Sequence, residues 1–237
     1  MVLSNVWWVM VMTLFTMACA SSSGAGNGST AGDAGTAGDG ATPEALLRAA
    51  QKGDATTVSE LLRQGAPIDA QDAGGNTPLL LATSSNRVEA ARVLIEAGAN
   101  VNLQNRMLDS AYLLSGAQGS LEILRMTLSH GADLKSTNRF GGTALIPACE
   151  RGHVEVVKTL LQAGVEPNHV NRLGWTGLLE AILLSNGGPP HQAIVRLLID
   201  GGADVNLADG NGITPLQHAR ERKQDAIAKM LVAAGAR

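Results

Sequence analysis

From about residue 43 onward, apolar residues fall into short runs at helical spacing, and the runs come in pairs. The pair between Thr143 and Asn168 is the clearest. Leu145, Ile146, Ala148 and Cys149 make the apolar side of a short helix, and Thr143 stands where its hydroxyl can cap the N-terminus. Gly152-His153 breaks that helix. Val154, Val156, Val157, Leu160 and Leu161 then follow the i, i+3, i+4 stripe of a second helix. Gly164, a residue that tolerates positive φ, ends it. A turn through Asn171 and Gly174 leads into Thr176, where the pattern starts again.

The pattern is periodic. Gly65, Gly98, Gly131 and Gly164 lie 33 residues apart, Gly202 follows after 38 and Gly235 after 33. Thr77, Ser110, Thr143, Thr176 and Thr214 keep the same steps. Two marks in one register predict an all-α solenoid of about six helix–turn–helix units with β-turn tips, because no single pair of helices can bury its apolar face alone. The units start near 44, 77, 110, 143, 176 and 214, over residues 43–237. Ala82, Ala148, Ala181 and Ala219 are small enough to let neighbouring helices stack closely. The extra five residues of the 176 unit fall in Ser185–His191, whose glycines and prolines predict a loop at the edge of the concave face rather than longer helices.

The first residues do not share this pattern. Val6 to Ala18 is an apolar run too short to span a bilayer comfortably, as in a signal peptide, although Met1–Asn5 carries no Lys or Arg. Residues 1–20 are expected to be removed or anchored. Cleavage after Ala20 would release a secreted protein. Alternatively, Phe15–Cys19 resembles a bacterial lipoprotein lipobox, with Thr16 where Leu is preferred, and Cys19 would then be acylated. Residues 21–42 form a Gly/Ala/Ser tether with no core-forming residue, which suits a domain held clear of a membrane and favours the lipid-anchored reading. The expected location is the periplasm or the outer membrane.

The repeat resembles the ankyrin repeat. Gly75–Leu79 and Gly212–Leu216 read G-x-T-P-L, Gly152–Val157 reads G-H-x-x-V-V and Gly202–Asn206 reads G-A-D-V-N. The His of the family's T-P-L-H is replaced by Leu80, Leu113, Ile146, Leu179 and Gln217. The resemblance implies a non-enzymatic module that binds a partner protein or peptide through its concave face of tips and first helices. Composition agrees: aromatics are only 3% of residues, so the core must be aliphatic, and a formal net charge of −3 leaves no basic surplus for nucleic acid.

Three tips share a motif. Asn105-Arg106, Asn138-Arg139 and Asn171-Arg172 recur at 33-residue spacing, whereas the flanking units hold Asp72-Ala73 and Asp209-Gly210. Stacked about 10 Å apart, three guanidinium groups favour carboxylates or phosphates. Phe140, Leu173 and Trp175 stand beside them. The expected binding surface is Arg106, Arg139, Phe140, Glu150, Arg151, Arg172, Trp175, Glu180 and His191. Alternatives are a receptor for a small anionic ligand, or a weak hydrolase using Glu150, Glu180 and His191. No metal-ligand spacing, phosphate loop or cofactor motif is present in the sequence. Cys149 is expected to be a buried structural thiol, His153 to bond its own turn, and the chain to be a monomer.

Overall fold

The computed structural model describes residues 40–237; the expected export signal with Cys19 and the expected tether through residue 39 lie outside the described residues. Twelve helices pair into six units among the described residues. They are α1 (Pro43–Lys52) with α2 (Ala55–Arg63), α3 (Pro78–Ser84) with α4 (Val88–Glu96), and α5 (Ala111–Gln118) with α6 (Leu121–Ser129). The series continues with α7 (Leu145–Glu150) and α8 (Val154–Gln162), α9 (Gly177–Leu183) and α10 (Pro189–Asp200), and α11 (Pro215–Glu221) and α12 (Asp225–Ala233). Odd-numbered helices stack on one another as an inner row, and even-numbered helices stack as an outer row. The predicted all-α ankyrin-type solenoid is therefore present.

Local chemistry sets the helix starts. The hydroxyls of Thr77, Ser110, Thr176 and Thr214 each accept the backbone N–H three residues on. Thr42, assigned in the sequence to the end of the tether, does the same for α1 by accepting from Ala45. Thr143 departs from expectation: α7 starts at Leu145, and the Thr143 hydroxyl is buried without a partner. The cause is Pro147. In the sister units the residue at this place donates its N–H to the Thr or Ser carbonyl, as Leu81 does to Thr77 and Leu114 to Ser110. Proline has no N–H. Ile146 N–H turns to the Thr143 carbonyl instead, at 3.3 Å, and abandons the hydroxyl.

The extra residues of the 176 unit also differ from expectation. Only Ser185–Gly188 is a loop; Pro189, Pro190 and His191 form the first turn of α10, which runs 12 residues against nine in α8. Proline is well suited to a first turn, where no intrahelical donor is needed.

Aliphatic side chains fill the space between the rows. Ala82, Ala148, Ala181 and Ala219 are fully buried at the close approaches. Leu46, Leu79, Leu94, Leu124, Leu160, Leu178 and Leu198 are also fully buried, each worth about 2 kcal/mol of apolar burial. Gly116 is needed where α5 meets the next unit, since a Cβ there would lie 2.8 Å from that of Ala144. Cys149 is a buried thiol, as expected, and burial followed by the nearby Glu180 charge pushes its pKa well up.

Candidate functional site

Each tip is a five-residue turn built by its first residue. The side-chain oxygens of Asn105, Asn138 and Asn171 accept the N–H groups two and four residues on, at 2.8–3.1 Å. Asp72 and Asp209 do the same in the flanking tips. The first residue's backbone N–H also bonds the carbonyl of the fifth residue, so the turn closes as a rigid loop. The second and third residues are left to project.

The arginines in second place do not all point outward. Arg106 is exposed and makes no side-chain bond with a described residue. Arg139 turns back toward the preceding tip, with Nη1 3.6 Å from the Asp109 carboxylate and its guanidinium 4.6 Å from the centre of the Phe140 ring. Arg172 is exposed, yet its Nη1 donates to the Arg139 carbonyl at 2.8 Å. Two of the three therefore also stitch tips together, which sequence spacing could not reveal. Backbone bonds support the same stack, from Arg106 N–H to the Gly74 carbonyl and from Arg172 N–H to that of Phe140.

The third place is apolar in the same three tips: Met107, Phe140 and Leu173. Among the described residues, five large apolar side chains are strongly exposed; Met107 (48%), Leu108 (39%) and Leu173 (54%) lie in these tips, and Val170 (45%) immediately precedes the third. Phe140 and Trp175 are half-buried between and beside them. Met107, Leu108 and Val170 lie outside the surface expected from the arginine motif and the aromatic residues. The signal was available, since the flanking tips carry Gly74 and Asn211 in the third place.

Leu108 is anomalous. It occupies the fourth place of its tip with φ +58°, where the sister tips have Gly75, Gly141, Gly174 and Gly212, all at positive φ. A leucine held in left-handed backbone costs about 1 kcal/mol relative to glycine.

The remaining expected residues separate into two groups. Glu180 is not a surface residue. It is 6% exposed in α9, and its Oε1 accepts from Asn171 Nδ2 at 2.8 Å. Burial and the neighbouring Glu150 carboxylate push its pKa up to about 8, against the Asn171 bond and Arg151, which lower it. Just past the C-terminus of α7, exposed Arg151 donates to the Ala117 carbonyl at 2.7 Å. His191 Nε2 bonds the Glu150 carbonyl at 2.9 Å. His153, expected to bond its own turn, instead packs against Gly119 of the preceding unit. Burial and then Arg151 lower its pKa, partly offset by a bond to Ala117. These histidines are inter-unit joints. Two surface concavities, between α10 and α12 beside Arg196 and Lys229 and along α1 and α2 beside Arg48 and Lys52, lie away from Glu150, Glu180 and His191.

Stacked units, closed tips and an apolar, arginine-bearing edge define a repeat-solenoid interaction module. The family profile described as "Ankyrin repeats (3 copies)" matches residues 23–105, 113–209 and 163–237. The chain belongs to the ankyrin repeat family, whose repeats are protein-interaction modules and generally non-enzymatic. It is similar to a crystal structure of an ankyrin repeat domain from Acinetobacter baumannii, with 59% identity, TM-score 0.79 and coverage of 81% of this chain and 98% of that one. The ankyrin repeat protein EF0377 is 44% identical at TM-score 0.77, covering 80% and 97%. The ankyrin domain of Bcl-3, an IkappaB family member, is 29% identical at TM-score 0.73, covering 81% and 86%. The Escherichia coli K12 protein YahD is 55% identical over 58 residues, a match spanning 24% of this chain and 29% of that protein.

Proposed function

We propose that this chain holds a partner protein or peptide on the edge formed by tips 105–109, 138–142 and 171–175 with Val170 beside the last, together with the adjoining inner helices. The observation that carries the reading is the concentration of exposed apolar residues on these tips, with arginines beside them. Burying such residues against a partner supplies the driving force, and half-buried Trp175 and Phe140 are suited to anchor it. Glu180 contributes from beneath, by holding Asn171 and hence the tip that carries Trp175.

The module works at the cell envelope, attached through acylated Cys19 and set clear of the membrane by its Gly/Ala/Ser tether. The apolar run before Cys19 and the tether after it support this placement. Mass spectrometry of the mature N-terminus is expected to find a lipid-modified Cys19; an unmodified terminus at Ser21 overturns the anchor. Partner binding is tested by a photo-crosslinking amino acid at Leu173, with Lys229 on α12 as control. A discrete adduct from Leu173 only is expected. No adduct, or the same adduct from Lys229, overturns the reading.

A further inference from the structure

We infer that the ridge selects an acidic peptide segment of its partner, in which carboxylates alternate with large apolar side chains, and that Leu108 serves this contact rather than the fold. The inference rests on the partner-binding reading and names the chemistry of its ligand.

Charge is the first argument. Across the three tips, Arg106, Arg139 and Arg172 face one carboxylate, Asp109, so the ridge is positive on a chain whose formal net charge is −3. Arg106 has no side-chain partner among the described residues. The bond from Arg172 ends on a neutral carbonyl, which positions the guanidinium and leaves its charge uncompensated. The Arg139–Asp109 contact, at 3.6 Å, is too long for a good hydrogen bond, so an incoming carboxylate can displace it. Forked guanidinium groups of this kind select carboxylates by geometry as well as charge.

Leu108 is the second, independent argument. The closing N–H···O bonds of its tip match those of the sister tips that use glycine at this place. Nothing in the turn needs a side chain there. The leucine nevertheless accepts a strained backbone and exposes 39% of its surface beside Met107. A residue that strains the fold and stays in water gains its favourable contacts only when something covers it.

Spacing favours an extended chain. Met107 and Leu173 are about half-exposed at either end, and Phe140 between them is partly covered by the Arg139 guanidinium. Tips about 10 Å apart match three residues of an extended peptide at about 3.3 Å each. The segment should therefore repeat its apolar or acidic anchors every third position.

A random-peptide display library selected on the full chain tests this, with enriched peptides titrated by fluorescence anisotropy. Enrichment of acidic–apolar sequences with a three-residue recurrence is expected. Their affinity should fall about tenfold in both Leu108→Gly and Arg106→Glu and stay unchanged in Lys229→Glu. Leu108→Gly should melt no lower than the wild type, which separates lost contact from lost fold. Basic or uncharged winners, affinities indifferent to Leu108→Gly, or binding of the ridge to anionic lipid vesicles in place of peptides overturn the inference. An empty selection also overturns it. If Leu173 still yields its crosslinked partner in that case, only the ligand chemistry fails; if that adduct is missing too, both readings fall.

Discussion

Glu180 and His218 occupy the same place in their inner helices, and each bonds the tip residue nine positions back. The two bonds have opposite electrostatic outcomes. At Asp209, burial raises the carboxyl pKa, but the Ile213 N–H, the His218 ring at 2.9 Å and the Asn211 N–H outweigh it and leave the pKa below its ordinary value. At Glu180 the partner is a neutral amide and Glu150 stands nearby, so burial prevails and the pKa rises from 4.5 to about 8. Below pH 4.5 this group is neutral in folded and unfolded chains alike. Between that pH and about 8 the unfolded chain releases the proton while the folded chain keeps it, so the group's contribution to stability falls as pH rises. Glu180→Gln removes this decline and keeps an acceptor for Asn171. It should be roughly 1–3 kcal/mol more stable than wild type at pH 8.5 and near parity at pH 4.5. Parallel melting profiles across pH would refute the assignment.

At the scale of the element, Pro147 controls α7. Its missing N–H moves the helix start to Leu145, shortens the helix to six residues and strands the Thr143 hydroxyl. Pro147→Leu restores the residue type found at Leu81 and Leu114. Urea denaturation should show a gain of about 1–2 kcal/mol, the worth of a recovered cap and an unbroken first turn. An unchanged midpoint would mean that the proline is absorbed elsewhere. The repeat pattern predicts a cap at Thr143, but Pro147, a local breaker visible in the same sequence, overrides it. The Pro189-Pro190 pair shows the converse. Read as loop formers, the two prolines begin α10, because at N1 and N2 the lost donors have no intrahelical use.

At the scale of the molecule, the buried core divides in the third unit. Ala111 and Ile123 pack with the core of the first two units, while Tyr112, Leu113 and Leu124 pack with that of the last three. A stitch is missing at the same level. Asn102 and Asn168 each bridge to the next unit, donating to the carbonyls of Gly131 and Gly202 and accepting the N–H groups of Asp133 and Asp204 at 2.7–2.8 Å. The corresponding residue of the third unit is Lys135, which is exposed and carries neither bond. Lys135→Asn should add the rung, stabilise the stack by about 1 kcal/mol and slow hydrogen exchange across the joint between the third and fourth units. Exchange unaltered at that joint would show that the rung does not form.

The period, the number of units, the helical class and the slots that form the tips are legible in residue order alone. These follow from signals acting within a few residues: capping hydroxyls, positive-φ glycines and apolar stripes. Residue order also marks the tips bearing arginine. Where the long polar side chains go is set by the packing of one unit on the next. Arg172 bonds a residue 33 positions away and His191 one 41 positions away. Glu180 is buried by helices from other units, and Arg139 is turned toward a neighbouring tip. Stacking brings these partners together across units, and a side chain with several rotatable bonds takes its direction from whichever charge or carbonyl the next unit places beside it.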